Sequence, residues 1–172
     1  MLVEDFNHTI DTWIKELEPY KLEQLCVKPA PDSWSLGQLY MHLIESTHYF
    51  IEQIKICLAS NENALGEALP QAREMFHNNA FPDILIEGPP SNALTPNPES
   101  KKQIELALMD LKEEVRQIET LITHSPFKGK TRHPGLKYFN AGEWLQFAEM
   151  HLRHHLRQKD RIVAVLMRDF QI

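Results

Sequence analysis

The sequence predicts an all-α protein: a bundle of four long helices with an extended, proline-rich crossover between the second and the third. Four stretches repeat apolar residues at the three-and-four spacing of an amphipathic helix. Alternating β-branched runs of the kind that build strands are sparse. Prolines gather between the periodic stretches: residues 60–98 hold more than half of the eleven, and residues 124–140 add Pro126 and Pro134 with Gly129 and Gly135.

The first stretch carries Val3, Phe6, Ile10, Trp13 and Leu17 and ends near Pro19. The second starts at Ser35, where Ser35 and Gln38 have the spacing of a capping box. Its apolar stripe is Leu36, Leu39, Leu43, Phe50, Ile54 and Leu58. The third is expected to open at Asn97-Pro98, a cap followed by the helical position that proline favours, and to run through Ile104, Leu108, Leu111, Val115, Ile118 and Ile122. The fourth opens at Asn140, with Glu143 three residues on, and carries Leu145, Ala148, Leu152, Leu156, Val163, Leu166 and Phe170. A structureless crossover as long as residues 60–98 is unusual in a compact domain, so a short helix around Gln71 to His77 is expected within it, folded back over one bundle end. A crossover of that length also allows the second and third long helices to run parallel.

With 172 residues, 42% hydrophobic and 24% charged, the chain has the composition of one globular domain, expected to span 1–172. Its net charge of -6 gives no global attraction to phosphate backbones or anionic lipid, which argues against nucleic-acid and membrane-surface partners. Nowhere do 18 uncharged apolar residues follow one another, and the start, MLVEDFNHTI, has neither a basic leader nor an apolar run. Cys26 and Cys57 form no C-x-x-C pair. A cytoplasmic location is the expectation, with both thiols packing as small hydrophobes.

The chain has nine histidines, and their placement differs. His8, His48, His77, His124 and His133 fall on polar faces or in loops and read as surface residues, with the alternative for His133 that its loop, leading directly into the fourth helix, brings it toward the site. His151 and His155, in the segment HLRHHLRQ, stand one helical turn apart. They continue a line through Trp144, Ala148, Gln158, Ile162 and Val165 along the edge of the apolar seam. A shared metal ion would satisfy them, although a histidine-rich helix produces this spacing by chance as well. His42 shares a stripe with Gln38, Glu45 and Tyr49, beside Leu39 and Leu43. It reads either as a hydrogen-bonded boundary residue or as a ligand.

Three segments carry a family resemblance. PAPDSWSLGQLYMHLIES (Pro29 to Ser46), HPGLKYFNAGEWLQF (His133 to Phe147) and HLRHHLRQ (His151 to Gln158) together resemble the DinB-like family, which includes YfiT-type metal hydrolases. The resemblance implies a four-helix bundle of DinB/YfiT type, often homodimeric, with a three-histidine metal site. Carried over to this chain, the ligands are His42, His151 and His155, while His154 points off their line. Zinc or nickel is the implied ion, because imidazole suits both.

Three neutral ligands leave a dication's charge uncompensated, so the ion can acidify a water for hydrolysis or hold a small thiol as thiolate. The resemblance implies both outcomes, since relatives include bacillithiol- and mycothiol-dependent S-transferases and isomerases. The expected function is therefore a metal-dependent enzyme acting on a small molecule, either a thiol S-transferase or a hydrolase. The rival is a non-enzymatic, metal-stabilised stress-response or scaffold protein. Glu45 is a candidate proton acceptor one turn after His42, or else an exposed helix carboxylate; Gln158 and Tyr49 are candidates to support the ligands.

Overall fold

The computed structural model describes residues 2–82 and 94–170. In chain order the elements are α1 (Leu2–Leu17), α2 (Leu22–Leu25), α3 (Leu36–Cys57), α4 (Pro70–Asn78), α5 (Lys101–His124), β1 (Thr131–His133), β2 (Lys137–Phe139) and α6 (Ala141–Phe170). The four long helices are those that the periodicity predicts. The middle of the crossover, residues 83–93, and the side chain of Phe170 lie outside the described residues.

The bundle is not wound in sequence order. Helix α3 packs against α5 and α6, and α1 packs against the same two, so the consecutive helices α1 and α3 stand diagonally. Hydrogen bonds fix the directions. Thr9 donates to Glu149, Trp13 Nε1 to the Leu152 carbonyl and Lys159 to Glu16, so α1 and α6 run parallel. Ser35 donates to Asn97 near the starts of α3 and α5, and Ser125 Oγ donates to the Leu58 carbonyl near their ends. Helices α3 and α5 are therefore parallel, as the long crossover allows.

The caps explain where α3, α5 and α6 begin. Ser35 and Gln38 exchange hydrogen bonds at 3.0 Å in both directions, and Asn140 and Glu143 do the same at 2.8 and 2.9 Å. The third long helix departs from its expected start. Its cap is Ser100, which accepts from the Gln103 N–H at 3.1 Å, and Pro98 lies outside the helix. Asn97 is occupied elsewhere: its Oδ1 accepts from Ser35 Oγ at 2.6 Å, and nearby Gln38 Nε2 donates to the Thr95 carbonyl at 2.6 Å. A tertiary contact thus takes the side chain that local sequence assigns to a cap.

The short helix in the crossover is present as α4, with Pro70 in its first turn. It ends at Asn79 with φ 49°, a left-handed conformation that asparagine tolerates. Two elements depart from the all-α expectation or were too short to predict: the single turn α2, and the antiparallel pair β1–β2 in register Thr131–Phe139, Arg132–Tyr138 and His133–Lys137. Three-residue strands have too few positions to show alternation. Trp144 Nε1 ties this hairpin to α6 by donating to Thr131 Oγ1 at 2.7 Å.

One core runs through the four long helices, with Trp13, Tyr40 and Trp144 fully buried. Their polar ends are satisfied: Tyr40 donates to the Trp13 carbonyl at 2.9 Å, and Trp13 donates to Leu152. Among the described residues no helix is long and apolar enough to cross a membrane.

Gly37 marks the tightest approach to α3. A methyl group there would stand 2.7 Å from Pro98 Cδ and 3.0 Å from the Leu25 carbonyl oxygen, neither of which can turn away. Gly37→Ala is expected to cost about 1–3 kcal/mol, measured by chemical denaturation. An unchanged midpoint would show that the α2–α3–Pro98 junction is looser than the structure indicates.

Candidate metal centre

The α3–α6 seam brings together the three histidines from distant parts of the chain. His42 comes from the middle of α3, and His151 and His155 from successive turns of α6. Ring centroids are 5.3 Å apart for His42–His151, 5.1 Å for His42–His155 and 4.5 Å for His151–His155. One ring nitrogen from each lies within 4.8 Å of the other two, and all three side chains are part-buried. Among the described residues no carboxylate or thiol joins this cluster.

The ring nitrogens fit a shared cation. Nε2 of His151 and Nε2 of His155 are 3.1 Å apart. Two nitrogens at 2.0–2.1 Å from a tetrahedral ion stand about 3.3 Å apart, so this edge of the triangle is already near ligand spacing. The bound of 4.8 Å on the full set is wider.

Hydrogen bonding selects the right tautomer at His155. Its Nδ1–H donates to Gln158 Oε1 at 2.7 Å, which leaves the Nε2 lone pair facing the cluster. His42 Nδ1 has Ser46 Oγ at a longer 3.4 Å. His151 has no such partner: its Nδ1 is buried without a hydrogen bond, and packing holds the ring instead. Phe50 meets it edge-on at 5.4 Å, and Phe147 stacks parallel at 6.5 Å.

Burial keeps the trio neutral. It pushes His42 down to about 4, and His155 to about 4 with the His42 imidazole adding to the effect. His151 is held well below the ordinary imidazole range by burial and then by its histidine neighbours. Neutral imidazole is the ligating form.

The remaining sequence expectations fall as follows. His154 lies off the cluster, its ring 5.5 Å from Phe81. Glu45 is exposed on α3 and makes no hydrogen bond or ion pair to the histidines, so the geometry gives it no part in holding an ion. Gln158 is hydrogen-bonded to His155, whereas Tyr49 is 44% exposed and meets Phe50 and Trp144 instead. Gln38, on the His42 stripe, is buried in the α3 cap and not at the site.

Two further residues lie at or near the site. Trp34, just before the α3 cap, packs on His42 at 4.8 Å. His133, expected at the surface, is part-buried among Phe139, Trp144 and Phe147 at 4.9–5.5 Å. Its Nδ1 accepts from the Gly135 N–H at 3.1 Å, and burial pushes it down to about 4. The neighbouring Pro134-Gly135 marks a turn in the sequence, and nothing local shows that the turn folds its histidine inward.

An α-helical bundle with an inward three-histidine cluster shared by two antiparallel helices defines a recognisable architectural class. The chain belongs to the DinB superfamily, whose family model matches residues 5–158. Its fold is similar to that of YfiT from Bacillus subtilis, a probable metal-dependent hydrolase with an unusual four-helix bundle topology. That likeness has a TM-score of 0.59 at 16% identity and covers 97% of this chain and 85% of YfiT. No curated protein is a significant match to the chain.

The buried imidazoles make stability depend on pH. Below the ordinary value of 6.5 the unfolded chain takes up protons that folded His133 refuses until about pH 4. Stability of the metal-free protein therefore falls as pH drops through that window. His133→Phe, which keeps an aromatic ring in the cage, is expected to flatten the decline in denaturation midpoint between pH 6.5 and 4.5. Identical slopes for the variant and the parent would place His133 in solvent.

Proposed function

We propose that this chain is a divalent-metal-dependent enzyme of the cytoplasm, with zinc or nickel held by His42, His151 and His155, acting on a small molecule as a thiol S-transferase or hydrolase. The observation that carries the proposal is the convergence of three neutral imidazoles, unaccompanied by a carboxylate, on one point of the α3–α6 seam. The description of YfiT as a probable metal-dependent hydrolase supports it.

A dication on three neutral ligands supplies Lewis acidity toward a water or a low-molecular-weight thiol of bacillithiol type. The chain's own groups prepare the place. Gln158 holds the proton at His155 Nδ1, so that nitrogen Nε2 is free to bind. Phe50 and Phe147 pack on the His151 ring, and Trp34 packs on His42. Free cysteines at Cys26 and Cys57 suit a reducing compartment.

Gln158→Leu is expected to weaken zinc or nickel affinity about 10- to 100-fold without unfolding the protein, because it removes the group that orients a ligand. Competition with a chromogenic chelator measures this; unchanged affinity would remove Gln158 from the site's support.

The activity is tested with metal-loaded protein, a small thiol and an aryl halide, and in parallel with activated esters and amides. In the first assay the thiolate forms a C–S bond as halide leaves; in the second, water cleaves an acyl bond. The proposal expects at least one reaction to exceed the His151→Ala, His155→Ala variant. Equal rates across several thiols, esters and amides would replace the enzyme with a metal-stabilised scaffold.

A further inference from the structure

Beside the histidine cluster, the loop before α3 and the second half of α6 line a shallow cavity, open to the surface, of about 270 Å³. Pro29, Ala30, Ile162 and Val165 give it apolar walls, and Ser33, Gln158 and Arg161 supply its polar groups. Gln158 belongs to both places, since the same side chain that lines the cavity accepts the His155 Nδ1–H. The cavity and the cluster thus share one residue, which stands between them.

Its loop wall is built before any ligand arrives. Ser33 Oγ accepts from the Ala30 N–H at 2.8 Å and donates to the Ala30 carbonyl at 2.9 Å, while the Ser33 N–H donates to that carbonyl at 3.1 Å. Pro29 and Pro31 restrict the backbone on either side of Ala30. Such a wall loses little entropy when something binds.

Arg161 sets the chemistry. Its guanidinium makes no hydrogen bond or ion pair among the described residues, although the chain as a whole is acidic. Its charge is nonetheless felt at the metal cluster, where it helps to hold His155 neutral. A cation lining an apolar cavity matches a molecule with an anionic group at one end of an apolar body. A cavity of about 270 Å³ has room for a short chain or a single ring.

We infer that this cavity is the substrate-binding subsite of the metal centre, and that it takes a small amphiphilic anion whose carboxylate or phosphate pairs with Arg161 while its apolar part lies against Pro29, Ala30, Ile162 and Val165. The inference rests on the metal-enzyme proposal for its direction, because the reacting end of the molecule would point past Gln158 toward the histidines.

The test compares hexanoate with hexanamide, probes of similar shape that differ in charge, by calorimetry or ligand-observed NMR. Each is titrated into metal-loaded and chelator-stripped protein and into Arg161→Ala. Hexanoate is expected to bind about tenfold more tightly than hexanamide, the scale of one charge-assisted hydrogen bond. Arg161→Ala should close that gap while metal content stays unchanged. Ala30→Phe, which fills the cavity from an exposed loop position, should weaken both probes together.

Equal binding of the two probes, no binding at millimolar concentration, or a preference that survives Arg161→Ala would overturn the inference. A preference that vanishes on stripping the metal would put the anion on the ion and overturn it as well. Failure of the metal proposal has a different signature: no metal in any sample, with the Arg161-dependent preference intact.

Discussion

The proposed function depends on one packing interaction, the antiparallel seam between α3 and α6. A histidine on either helix alone would be a polar group at the margin of a core. The seam sets His42 against His151 and His155 and buries all three far enough to keep them neutral. Neutral imidazoles in a dry setting are poor partners for one another, because each pair can share a single proton. A cation that accepts all three lone pairs resolves that conflict.

The parts around the seam hold it in register. At one end the Ser35–Gln38 box, the Asn97 side chain and the Thr95 carbonyl lock the start of α3 to the approach of α5. At the other, the β1–β2 hairpin is tied to α6 through Thr131 and Trp144, and Cys57 at the end of α3 lies against the same hairpin. Between them Phe50, Trp144 and Phe147 fill the space beside His151. The three histidines therefore sit on helices with packed neighbours, the arrangement that a preorganised metal site needs.

Much of this was legible in the amino-acid order, and the limits have physical causes. Apolar periodicity gave the four long helices, because each buries one face along its whole length. The boxes at Ser35 and Asn140 were legible because their hydrogen bonds span only three residues. Asn97 misled because a partner 62 residues away took its side chain. His151 and His155 stood out by spacing on one helix, while His42 joined them only through family resemblance, since no local pattern states which helices are neighbours. The burial of His133 was not legible for the same reason: its aromatic cage is assembled from residues on β2 and α6. Arg161 looks like any exposed helical arginine until the loop at Pro29 and Ala30 is placed opposite it.

The central claim is that the seam binds a metal, and elemental analysis of untagged protein tests it most directly, beside a His151→Ala, His155→Ala variant. The account predicts about one zinc, nickel or similar divalent ion per chain in the parent, lost in the variant, as expected of a site built from three imidazoles. No metal in the parent, even after incubation with zinc and nickel salts, would contradict it and leave the three histidines as structural polar residues of the bundle.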